Sequence, residues 1–194
     1  MLIAVYSGSF NPIHRGHTAL CRYMALHRPC DIDAIILLVT PRNPLKPLVE
    51  MASDSDRIAM ARLACEDIPL TETDDFEMSL QPPYYTLRTL EALARKYPQH
   101  SFRLVIGADN WLTFDRWRDP EKIISRFGLI VYPRPGYIIG SDAKLPDNVT
   151  YLASAPLSDI SSTMIRQRIE RGQDISNLVP EKTAEYIRQH KLYT

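Results

Sequence analysis

The sequence predicts an α/β protein built on a doubly wound, mostly parallel sheet. Short apolar runs at residues 2–6, 34–40, 102–106 and 128–132 lack the polar alternation of a strand with one wet face, so each reads as a strand buried on both faces. Segments with apolar residues at helical spacing lie between them. Strands and helices therefore alternate along the chain, the order that lays parallel strands side by side with helices on both faces.

Each element follows from local chemistry. After the first run and a turn-rich loop, residues 18–27 place Leu20, Tyr23, Met24 and His27 at helical spacing. The second strand packs four Ile or Leu residues and Val39 into residues 34–40. Pro41, Pro44 and Pro47 then impose a non-helical loop, and Ser53 or Asp54 is suited to cap a helix running to about Glu66. Residues 76–80 alternate and read as a strand. Thr86 reads as the cap of a helix carrying Leu87, Leu90, Ala94 and Tyr97 on one face. The runs at 102–106 and 128–132 supply two further strands, and residues 149–152 a weaker one. Two helices finish the chain, from Ser162 to about Glu170 and from Pro180 to about His190, with Pro180 in the first turn. Residues 133–148, with four prolines or glycines in the first eight positions, read as an exposed loop too short to separate two domains.

Composition limits the function classes. A chain of 194 residues is expected to form one domain, residues 1–194, and to bury about two-thirds of its surface without disulfides or metals. Hydrophobic residues at 45% and charged residues at 24% exclude disordered and fibrous classes. A formal net charge of +0 argues against a long nucleic acid as main partner, while a local cationic pocket for a small anion remains compatible with it. Cys21, Cys30 and Cys65 are odd in number and form no CxxC, so they read as reduced thiols with no zinc framework. The longest apolar stretch, residues 34–39, is too short to span a membrane, and residues 2–6 carry neither the basic head nor the cleavage site of a signal peptide. The expected location is cytoplasmic, with no membrane partner. A homo-oligomer is left open.

The stretch GSFNPIHRGH, residues 8–17, follows the first strand directly. In doubly wound sheets ligands bind at the carboxyl ends of strands, beside helix N-termini. The stretch is neither GxGxxG nor GxxxxGK[ST], so the two commonest phosphate-loop patterns do not apply. Gly8 permits close backbone approach and Pro12 fixes the turn. His14 and His17 stand three residues apart with Gly16 between them as an open floor. With a helix starting near Arg15, both imidazoles sit at its positive end and can cradle a phosphate. The same pattern also suits a solvated polar pair or two metal ligands, the latter short of a third ligand at suitable spacing.

A second cluster lies in DISSTMIRQR, residues 159–168. Ser161, Ser162 and Thr163 crowd a helix start, where one such residue is an ordinary cap. Three hydroxyls exceed what a cap needs. With Arg166 one turn later they form a second anion site, suited to a triphosphate tail.

These residues carry a resemblance. GSFNPIHRGH looks like the (T/H)xGH signature of the nucleotidylyltransferase superfamily, and ISSTMIR looks like its ISSTxIR partner. Adding NPLK, YYTLRTL, GADNWLTFDRW and YPRPG, the chain resembles the bacterial nicotinate-mononucleotide adenylyltransferases over essentially its whole length. Three positions depart from the common pattern: Arg88 replaces a frequent carboxylate, Arg118 a frequent aromatic residue, and Leu45 a frequent histidine.

The resemblance implies a Rossmann-like nucleotidyltransferase fold and transfer of adenylyl from ATP to nicotinate mononucleotide, releasing pyrophosphate. The attacking phosphate is already anionic near neutral pH, so no general base is needed, consistent with the absence of a carboxylate beside the histidines. It assigns His17 to the α-phosphate, His14 to the phosphates nearby, and Lys46 to a substrate phosphate. Gly8 and the amides of Ser9 and Phe10 would lie between the substrates. Ser161, Ser162, Thr163 and Arg166 would hold the β,γ-phosphates, with Arg134 as helper. Asp109, following a strand that ends at Gly107, would take a ribose hydroxyl. Trp117 would stack on the pyridine, and the amides of Tyr85 and Thr86 would meet its carboxylate. Mg²⁺ would ride on the ATP phosphates. Two rival readings share these motifs: a sister adenylyltransferase using nicotinamide mononucleotide or phosphopantetheine, and a nucleotide sensor without catalysis.

Overall fold

The computed structural model describes residues 1–41, 51–137, 139–140 and 143–194. Lys46 and most of the proline-rich loop lie outside the described residues. Six strands form one sheet: β1 (Leu2–Gly8), β2 (Ala34–Val39), β3 (Thr71–Asp74), β4 (Ser101–Gly107), β5 (Leu129–Tyr132) and β6 (Val149–Tyr151). Their spatial order is β3-β2-β1-β4-β5-β6 and every pairing is parallel. The order reverses between β1 and β4, and there the strand ends Gly8 and Gly107 flank the crevice in which such sheets bind ligands.

Strand periodicity divides the core. Ala4 and Tyr6 of β1 join Leu37, Val105 and Ile130 on one face, while Ile3 and Val5 join Leu38, Leu104 and Val131 on the other. The first face is covered by α1 (Arg15–His27), α2 (Asp54–Cys65) and α7 (Glu181–Gln189). The second is covered by α3 (Thr86–Lys96) and α5 (Pro120–Arg126). A single turn, α4 (Ala108–Trp111), follows β4 directly, and α6 (Ser162–Glu170) packs Ile165 against Val179 and Ala184.

Several expectations require correction. Residues 76–80 are not a strand: Phe76–Ser79 is a 3₁₀ turn, begun where the Asp74 carboxylate accepts the Phe76 N–H at 2.6 Å. The strand is TETD, just before it. As the sheet edge it pairs only with β2, so it needs no continuous apolar run. The first helix does begin at Arg15, as expected for the histidine loop, and so extends the amphipathic stretch 18–27 by three residues. Thr86 does not cap α3; Tyr85 holds the cap position without a side-chain bond, and Thr86 is the first helical residue. Pro180 is the cap of α7 rather than a first-turn residue. The cap of α2 is Ser53, whose hydroxyl accepts the Asp56 N–H.

Candidate active site

The residue 8–17 stretch leaves β1, crosses the end of the sheet and enters α1 with His14 as its cap residue. Its backbone turns through Phe10, which adopts a left-handed φ of 44° while its ring packs edge-on against Tyr6 and His17. That ring also crowds position 8, where a Cβ would stand 3.0 Å from its edge. The glycine at position 16 has a different role from the expected open floor. A Cβ there would meet Ser158 Oγ at 2.5 Å, so the space beside the helix start is filled by Ser158.

His14 and His17 stack with ring centroids 3.6 Å apart. The His14 backbone N–H donates to His17 Nδ1 at 3.2 Å. An acceptor at Nδ1 puts the proton of the neutral ring on Nε2, leaving that nitrogen as a donor. Burial pulls the pKa of His14 down to about 3, with the Arg134 cation adding to the shift. Burial also holds His17 well below its ordinary value, with His14 and then Arg134 contributing. Both imidazoles are thus neutral hydrogen-bonding groups near pH 7, and cationic charge comes from arginines nearby. His14 Nδ1 is buried and lacks a hydrogen-bond partner in the structure.

The second cluster comes to the same loop. Ser162 Oγ donates to the Pro12 carbonyl at 2.8 Å, and Arg166 donates to the Asn11 carbonyl at 2.7 Å. Arg166 also reaches Thr163 Oγ1 at 3.3 Å. The three adjacent hydroxyls therefore divide their work: Ser161 caps α6 by accepting the Met164 N–H, Ser162 clamps the loop, and Thr163 meets the guanidinium. Across the crevice, Arg134 Nε lies 3.8 Å from Asp109 Oδ1. Gly107 makes room for both, because a Cβ there would stand 2.3 Å from Asp109 Oδ1 and 2.9 Å from Arg134 Cγ.

On the α3 face of the sheet a cavity of about 640 Å³ opens, lined by Gly8, Ser9, Thr40, Glu77, Tyr85 and Thr86 over a floor of Val5, Leu38 and Leu104. The residue 8–9 backbone therefore borders the cavity, while His17 lies towards Tyr6 on the opposite face. Tyr85 and Thr86 line the cavity, whereas Trp117 packs on Phe114 with ring centroids 5.0 Å apart and is not among the lining residues.

Two buried groups escaped the sequence reading. Arg57 is fully buried and donates to the carbonyls of Ser9 at 2.6 Å and Thr40 at 2.8 Å while pairing with Asp54. It thereby ties the loop after β1 to the end of β2. Its signal was positional: an arginine shares the inward face of α2 with Met60, Ala61 and Ala64. Glu77, buried in the cavity wall, accepts the Thr89 hydroxyl, and burial raises its pKa.

The cytidylyltransferase-like family matches residues 5–168. The probable nicotinate-nucleotide adenylyltransferase of Bacteroides thetaiotaomicron is 40% identical over 96% of this chain and 90% of its own. The Flavobacterium johnsoniae protein of the same name is 40% identical over 100% of this chain and 99% of its own. Among solved structures, the Plasmodium falciparum nicotinic acid mononucleotide adenylyltransferase complexed with NaAD superposes with a TM-score of 0.81 at 20% identity, covering 99% of this chain and 97% of that one. The same enzyme complexed with APC gives a TM-score of 0.79 at 21% identity, covering 99% and 96%. These two share the fold. With a family match over most of its length and near-full-length relatives at 40% identity, the chain belongs to the cytidylyltransferase-like family, among the nicotinate-nucleotide adenylyltransferases.

Proposed function

We infer that this protein transfers the adenylyl group of ATP to nicotinate mononucleotide, giving nicotinate adenine dinucleotide and pyrophosphate. The observation that carries the reading is the meeting of two motifs about 150 positions apart, Ser162 on Pro12 and Arg166 on Asn11, beside the paired histidines. A phosphate oxygen of the mononucleotide attacks the α-phosphorus, the α-phosphorus to bridging-oxygen bond breaks, and pyrophosphate leaves with the electron pair. No proton need move, so catalysis is positioning and charge neutralisation.

His17 donates from Nε2 to the α-phosphate, where negative charge shifts during transfer. His14 serves the adjoining phosphates, and the Ser9 and Phe10 amides stand between the two substrates. Arg166, Ser162 and Thr163 receive the β,γ-phosphates, assisted by Arg134, while Asp109 takes a ribose hydroxyl. The cavity suits the mononucleotide, with the Thr86 amide at the start of α3 towards the nicotinate carboxylate; the Tyr85 N–H, the other candidate, donates to the Pro83 carbonyl at 3.0 Å in this structure. The resemblance offers Trp117 for the pyridine ring, although it packs on Phe114 outside the lining of that cavity, and offers Lys46 for a phosphate. Mg²⁺ is proposed to arrive on the ATP phosphates; among the described residues no three His, Cys, Asp or Glu side chains gather as a metal-binding group. No helix among the described residues is long and apolar enough to cross a membrane, and the cytoplasm is the proposed location.

The test is pyrophosphate release from Mg²⁺ and ATP with a panel of acceptors: nicotinate mononucleotide, nicotinamide mononucleotide and phosphopantetheine. Fastest release with nicotinate mononucleotide, and none without an acceptor, is expected. Steady ATP hydrolysis without an acceptor would contradict the reading.

A further inference from the structure

We propose that Tyr193, in the tail that follows α7, is a positioning residue for adenylyl transfer, acting through Asn11. The Tyr193 ring is buried in the same core cluster as Phe10 and Ile13 of the phosphate-facing loop. Its hydroxyl donates to Asn11 Oδ1 at 2.7 Å. The same oxygen accepts the Ala52 N–H at 3.1 Å, from the residue before the α2 cap. The backbone carbonyl of Asn11 accepts Arg166 at 2.7 Å.

One buried residue thus joins four segments: the C-terminal tail, the start of α2, the histidine loop and α6. Two donors on one carboxamide oxygen fix the orientation of the Asn11 side chain, and burial leaves it little room to turn. Its own carbonyl aims Arg166, the cation placed to meet the leaving pyrophosphate. Removing the Tyr193 hydroxyl therefore loosens the aim of Arg166 without touching any substrate contact.

The charged groups around Tyr193 are consistent with a constant donor. Burial raises its pKa above the ordinary phenol value, with Asp56 adding to the rise and Arg166 and Arg57 opposing it. The hydroxyl stays protonated across the working pH range. Asp56 is itself engaged by Tyr186 of α7 at 3.0 Å, so the tail and its helix are both fastened to α2.

The inference rests on the adenylyl-transfer reading, and the experiment separates the two. Wild-type protein is assayed with ATP and nicotinate mononucleotide beside Tyr193→Phe, Asn11→Leu and Tyr186→Phe. No pyrophosphate release by the wild type would overturn the functional reading itself. With an active wild type, Tyr193→Phe should lower kcat about tenfold, since misplacement of a transition-state group costs turnover before ground-state binding. Its KM for ATP and its melting temperature should stay near wild type. Asn11→Leu should be at least as impaired. Tyr186→Phe removes the bond from α7 to Asp56 and leaves Asn11 untouched, so its kcat should stay near wild type.

Wild-type kcat in Tyr193→Phe, or a loss matched by unfolding alone, would overturn the proposal. If Tyr193→Phe does not fold, Asn11→Leu and Tyr186→Phe decide, and equal loss of kcat in the two overturns it.

Discussion

Arg166 of α6 donates to the Asn11 carbonyl at 2.7 Å, joining residues 155 positions apart in the chain. The contact leaves the guanidinium bridging two acceptors, the Asn11 carbonyl and Thr163 Oγ1. A planar fork can satisfy both and still present further in-plane N–H donors to an anion. A lysine ammonium carries the same charge on a flexible stem and cannot reproduce that geometry.

Arg166→Lys should therefore remain folded and lose turnover, by about tenfold or more, since one oriented donor to transition-state charge is lost. Steady-state kinetics with ATP varied at saturating mononucleotide would report it. Unchanged kcat and KM would assign Arg166 to a structural clamp alone.

Arg57 should dominate the stability of the same region. It is fully buried, and its two carbonyl acceptors lose their partner when it is removed. Arg57→Met should cost about 2–4 kcal/mol in chemical denaturation, since buried acceptors are left unsatisfied. Asp54 is half exposed, so Asp54→Asn should cost less than about 1 kcal/mol. Equal costs for the two variants would mean that the ion pair, not the carbonyl pair, anchors the loop.

Acid should weaken the fold through His14. Its native pKa of about 3 lies below the unfolded value of about 6.5, so between these values the unfolded chain binds the extra proton. The stability from keeping this ring neutral is complete above pH 6.5 and is lost as pH falls towards 3. The loss approaches about 1.4 kcal/mol per pH unit. His14→Asn should flatten the fall in stability between pH 6 and pH 4, read by denaturation at each pH. An unchanged slope would place the acid sensitivity elsewhere.

Much of this was legible in the sequence because burial leaves a compositional trace. The runs that became β1, β2, β4 and β5 are continuous because parallel strands are covered on both faces. The edge strand Thr71–Asp74 left no such trace: it pairs on one side only and is polar. The apolar Phe76 and Met78 nearby mimicked a strand, although they belong to a 3₁₀ turn that half-buries them against the two faces of the core.

The site was legible for a different reason. Two histidines at a helix start and three hydroxyls in a row stand out against ordinary loop and cap chemistry, so the sequence marks them as candidates. What it could not mark is partnership at long range. That Ser158 fills the space over Gly16, that Arg57 holds the Ser9 carbonyl and that Tyr193 reaches Asn11 all depend on how distant segments pack.

If the two motifs form one phosphate site, its chemistry runs through His17. Its most direct test is His17→Ala, with melting temperature, ATP affinity and turnover measured on the same preparations. An Nε2–H donor aimed at developing charge should matter to the transition state more than to binding. The variant should fold, bind ATP within about tenfold of wild type, and lose about 10²–10³ in turnover. A destabilised variant with near-normal turnover per folded molecule would make His17 a scaffold residue and contradict the account.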